Sequence, residues 1–236
     1  MVALKGKASS IGNTGLPIFV FGGELRVEGV NTSVNKAFTT LSTTGEPLPQ
    51  NQAGNVVSVF MSSGKIVIEE GRTLKAVDGG ISMRGGLLTT KVNDSVANHL
   101  AIINGHLTVE GENAIVQIAT EGRPVTGVFV PTLHVEENIY FIRGTYKPTV
   151  HAEVGNLHDR WTCKMKFYSA AIAKIDPTVV GSAPFGMSWD VIIAIGGYGD
   201  AARPSASVAA DWAIDDGDGT SYGQPGWKSI NVRKAR

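Results

Sequence analysis

The chain has 236 residues, with 21 Lys plus Arg balanced by 21 Asp plus Glu, so its formal net charge is zero. Charged residues make up 18%, against about 25% in an average soluble domain, and no basic excess points to nucleic acid. A single cysteine, Cys163, excludes an intrachain disulfide.

Residues 1–16 are rich in Gly, Ser and Lys without a period, and read as an N-terminal arm. They lack the apolar stretch of a signal peptide, and the longest apolar runs, such as 191–195, are too short to span a bilayer. The expectation is a protein made in, and not exported from, a cytoplasm.

Hairpin patterns follow. "PIFVF-GG-ELRVE" turns at Gly22-Gly23, "VVSVFM-SSG-KIVIEE" at Ser62-Ser63-Gly64, "HLAII-NG-HLTVE" at Asn104-Gly105, and "NIYFI-RG-TYKPTV" near Arg143-Gly144. Each has apolar runs on both sides of a turn signal, and Asn-Gly is the strongest such signal. The arm before each turn is nearly all apolar, as in a strand covered on both faces. The arm after it alternates, as in a strand with one wet face. Similar openings recur at Gly23, Gly64 and Gly105, 41 residues apart each time. Further short strands fill the intervals, and no run has helical period. A closed propeller needs more blades than these units supply. The expected fold is therefore all-β: short antiparallel hairpins in roughly 41-residue units, as a β-sandwich or roll over 17–150, followed by a C-terminal β domain over 151–236 with a basic tail. The core of the latter is expected around Trp161, Phe167, Trp189, Trp212 and Trp227.

The chemistry-bearing patterns are thin. Gly197-Tyr198-Gly199-Asp200-Ala201-Ala202 follows a strand but lacks the helix and second strand of a dinucleotide site, so it reads as a turn. Asp215-Asp216-Gly217-Asp218-Gly219 resembles part of a calcium loop, but no Glu follows it to complete the ligand set, which leaves Asp216 and Asp218 as a weak metal candidate. His151-Ala152-Glu153 has no P-C-x-x-C partner. Cys163 and His158 are conceivable as nucleophile and base, yet Cys163 sits on the apolar side of a strand pattern. No catalytic residue and no cofactor is expected.

Together, an arm, a basic tail, many short Gly- and Thr-rich strands and little charge resemble structural proteins of tailed-bacteriophage virions, namely capsid decoration (cement) proteins, head fibres and small tail proteins. The resemblance is compositional and spans the chain. It implies a non-enzymatic virion protein made in the bacterial host cytoplasm. It further implies self-association, as a trimer, and contact with major capsid or tail proteins rather than nucleic acid or membrane. Assembly contacts are expected at the two ends: Leu4, Lys5, Lys7 and Ile11, and Val232 and Arg233. The alternative is a carbohydrate- or receptor-binding module of a fibre, with Tyr198, Trp212, Tyr222 and Trp227 as sugar-stacking aromatics.

Overall fold

The structure is a computed structural model. It describes residues 2–4, 9–11, 18–28, 32–34, 50–91, 93, 100–118, 132–151, 164–166, 172–180, 182, 185–194, 206–208, 211–217 and 228–235. The described elements are strands: β1 (Val2–Leu4), β2 (Ser9–Ile11), β3 (Ile18–Val27), β4 (Thr32–Val34), β5 (Val59–Glu69), β6 (Thr73–Lys91), β7 (Leu100–Gln117), β8 (Thr132–Val135), β9 (Asn138–Phe141), β10 (Arg143–Lys147), β11 (Thr149–His151), β12 (Lys164–Lys166), β13 (Ile172–Ile175), β14 (Thr178–Val180), β15 (Ser188–Ala194), β16 (Ala206–Val208), β17 (Trp212–Gly217) and β18 (Lys228–Lys234).

Strand content agrees with the sequence expectation, but the pairing does not. Thirteen strands form one sheet system, and its pairings are parallel. Among the described residues, the expected hairpins do not form: the chain runs on through Gly23, Gly64 and Gly105 within β3, β5 and β7. Antiparallel ladders occur in the three-stranded sheet β15-β18-β17.

The register explains how parallel neighbours follow each other in sequence. β7 pairs with β8 through 100–103, with β9 through 107–109 and with β10 through 115–117. It meets β6 in the same three segments, separated by register shifts. The chain therefore travels along one face, turns a corner, travels along a second and a third, and returns one strand spacing further on. This is a three-faced parallel β-coil, in which the rest of each circuit supplies the crossover that a parallel pair requires.

Each face carries an inward column. On the first it is Leu74, Ile103 and Val135. On the second it is Val59, Ile81, Leu107 and Ile139, beside Met61, Met83, Val109 and Phe141. On the third it is Leu25, Ile66, Leu88, Val116, Tyr146 and Ile175. All of these side chains are buried. Full burial of an aliphatic side chain contributes about 1.5–3 kcal/mol, so these columns supply the main stabilising term.

The residues that suggested hairpins sit at corners. Gly23, Gly64, Gly86 and Gly144 lie between the second and third faces with φ of 70°, 87°, 85° and 102°. Gly105 lies at a different corner, between the first and second faces. A left-handed backbone turns a corner as readily as it reverses a strand, so the composition of the turn did not distinguish the two. The 41-residue spacing breaks for the same reason. From Gly64 one circuit leads to Gly86, because Ile66 faces Leu88; Gly105 begins the second face of the following coil.

Strands on both sides of residue 150 belong to the sheet system. β12 pairs with β9, β13 with β10 and β16 with β13. Within the expected arm, β1 and β2 pair with β3 and β4. The antiparallel sheet packs its Trp189, Val191, Trp212, Ile230 and Val232 into the same hydrophobic cluster as the coil, and the Tyr146 hydroxyl donates to the Val191 carbonyl at 2.9 Å.

Candidate functional site

Outward positions of the second face form a column across five coils: Phe19, Phe60, Ser82, Thr108 and Tyr140, each paired in register with the next. The column divides into a covered middle and an open end.

The middle is covered by residues 50–58. This segment folds into a tight turn, with the Gly54 N–H donating to the Asn51 carbonyl and a bridge between Gln50 and Val56. It then lies on the coil. Asn51 Nδ2 donates to Thr108 Oγ1 at 2.5 Å, and the Gln52 N–H donates to Glu110 Oε2 at 3.1 Å. Glu110 Oε1 accepts from Ser82 Oγ at 2.6 Å and from Arg84 Nε at 3.3 Å. The Glu110 side chain has 0% exposure. A buried carboxylate is tolerated only where donors replace water, and here strap, strand and guanidinium supply them.

The open end carries aromatic rings. Phe19 and Phe21 project from alternate positions of β3 and remain 48% and 66% exposed. Their rings lie within 6° of parallel with centroids 5.6 Å apart, and Phe60 follows at 6.0 Å from Phe19. Arg84 lies over the Phe60 ring, 5.3 Å from its centroid. The all-apolar run "PIFVF" predicts a strand covered on both faces. The structure buries Val20 and leaves both flanking phenylalanines open. The alternation was legible in principle, but with every position apolar it left no polar mark to fix the phase.

At the far end of the column, the Asn138 N–H donates to His106 Nδ1 at 3.3 Å, so His106 Nε2 carries the proton that meets Glu137 Oε2 at 2.7 Å. Tyr140 packs 5.7 Å from the His106 ring and accepts from Asn138 Nδ2 at 3.0 Å. On the first face, burial pushes His134 below its ordinary value, while the Glu136 carboxylate pulls the other way.

No protein-family model, curated protein or solved structure matches this chain.

Of the residues nominated from sequence, those that the structure describes lie in β1, β2, β17 and β18. Trp212 is 8% exposed and packs edge-on against Trp189, with Lys234 Nζ 5.2 Å from its ring centroid. Val232 is fully buried in this chain, and Arg233 beside it is half-buried. Leu4 ends β1, Ile11 ends β2 and Asp216 lies in β17. Lys5, Lys7, Tyr198, Asp218, Tyr222 and Trp227 lie outside the described residues, as do His158, Trp161, Cys163 and Phe167. Among the described residues no group of three His, Cys, Asp or Glu converges on a metal position.

Proposed function

We propose that this chain is a non-enzymatic structural protein of a bacteriophage virion. It decorates or stabilises the capsid, or forms part of a tail, through contacts with further copies of itself and with the major capsid or tail protein. The observation that carries this reading is the unbroken inward column Leu25–Ile66–Leu88–Val116–Tyr146–Ile175, which runs along the coil and continues through Tyr146 into the terminal antiparallel sheet. Close-packed interiors transmit strain and resist compression, and parallel ladders join each coil to the next. Such a body suits a load-bearing element. A neutral chain with 18% charged residues also does little to keep its copies apart.

The reading places the protein in the virion after synthesis in the host cytoplasm, as a trimer without a cofactor. Light scattering on the purified chain, joined to immunogold labelling of phage particles, tests it. A defined homo-oligomer and labelled particles are expected. A strict monomer that leaves particles unlabelled would overturn it.

A further inference from the structure

We propose that Phe21, Phe19, Phe60 and Arg84 form a binding site for an acidic glycan, a sugar chain bearing carboxylates. The site is distinct from the aromatics of the C-terminal third and goes beyond the structural role, on which it does not depend.

Two phenylalanines 48% and 66% exposed need an explanation, because each would gain from being covered. They stack on one another along a β-strand, parallel within 6° with centroids 5.6 Å apart, so they offer an outer ring face and ring edges without rearrangement. Phe60 lies one coil further along with its ring tilted 60° to that of Phe19, and Arg84, a further coil on, lies over the Phe60 ring. Strand spacing of about 4.8 Å puts the two ends about 10 Å apart along the coil axis.

The cation is fixed in place. Arg84 lies over the Phe60 ring, and its Nε donates to Glu110, which is itself held by Ser82 and the Gln52 N–H. The Arg84 side chain is still 58% exposed. Among the described residues only its Nε has a partner, which leaves the Nη donors for a ligand. A guanidinium oriented in this way takes a carboxylate through two parallel hydrogen bonds. The apolar face of a pyranose ring stacks on an aromatic side chain, and its acid group then reaches the guanidinium. Preorganisation on strands limits the ordering cost of binding.

The strip comprises three rings and one guanidinium. Its open ring surface is roughly 200–250 Å², given the size of aromatic side chains. A stable protein partner requires about 800 Å² from each side, so the dimensions favour a linear chain over a second protein.

The test uses an array of oligogalacturonates, alginate oligomers and sialyllactose beside neutral maltohexaose, followed by calorimetry on the intact protein. At least one acidic chain is expected to bind about tenfold or more tighter than maltohexaose, a margin worth about 1.4 kcal/mol. Phe21→Ala, at an exposed position, is expected to keep the circular dichroism spectrum and weaken binding about tenfold. Arg84→Gln is expected to abolish the preference for acidic chains and keep weak stacking. Absence of binding to every acidic chain at millimolar concentration would overturn the proposal, as would binding unchanged by Phe21→Ala. So would an oligomer that Phe21→Ala dissociates in sedimentation while no glycan binds, since the strip would then be a contact between copies.

Discussion

At the scale of single residues, the left-handed glycines differ in the space around them. A Cβ on Gly64 would lie 2.8 Å from the Gly22 carbonyl carbon and the Gly23 oxygen, at a φ of 87°. Gly54 has a φ of 77° and nothing within 4 Å of such a Cβ. Gly54→Ala should therefore cost only the left-handed backbone penalty, about 1 kcal/mol. Gly64→Ala adds a backbone clash and should cost more than about 2 kcal/mol; urea midpoints of the two variants check the order. Glu110→Ala would strand the Ser82 hydroxyl and the Gln52 N–H without their acceptor, at a cost of about 2 kcal/mol. His134 sets a pH dependence. Its folded proton affinity is lowered chiefly by burial, so the unfolded chain takes up its proton first as pH falls. The stability tied to neutral His134 is complete above about 6.5, the unperturbed value. It is lost as pH drops through the lowered one. Chemical denaturation between pH 7.5 and 5 should show a steeper loss for the wild type than for His134→Gln.

At the scale of elements, residues 50–58 form a strap whose hold on the coil rests on Asn51, Gln52 and Glu110. In Glu110→Ala the amide of Gln52 should exchange with deuterium faster than in the wild type, while amides within β7 stay protected. A strap that exchanges at an unchanged rate would mean that the Asn51 side chain and the backbone bonds of Ser58 hold it without Glu110. Much of the strand content was legible in the sequence, because alternating Leu107, Thr108, Val109 and Glu110 mark one wet face whatever the partner strand. What the pattern could not reveal is direction. Inward Ile66 and Ile68 look the same whether their neighbours run parallel or antiparallel, and Asn104-Gly105 serves a corner as well as a hairpin. The strap was illegible for a different reason: its contacts, Asn51 with Thr108 and Gln52 with Glu110, join residues 57 and 58 positions apart. The open phenylalanines were masked by their apolar neighbours.

At the scale of the whole molecule, one hydrophobic cluster joins coil and terminal sheet, so unfolding should be cooperative. In a Trp161→Phe, Trp227→Phe background, the fluorescence of Trp189 and Trp212 reports from the terminal sheet, whereas far-UV circular dichroism reports on all strands. The two signals should melt together, and Tyr146→Phe, which removes the hydroxyl bonded to Val191, should lower stability by about 1 kcal/mol. Two separated transitions in that background would show that the sheet unfolds independently. The coil has one more property. Val59 faces Ile81 and Ile66 faces Leu88, so this circuit closes after 22 residues with its register intact. A duplication of that stretch in frame would splice in a whole extra storey, with compatible surfaces above and below. Reach is thereby quantised in steps of about 4.8 Å, and a lineage carrying such a gene could lengthen or shorten the protein by recombination alone, without inventing a new contact.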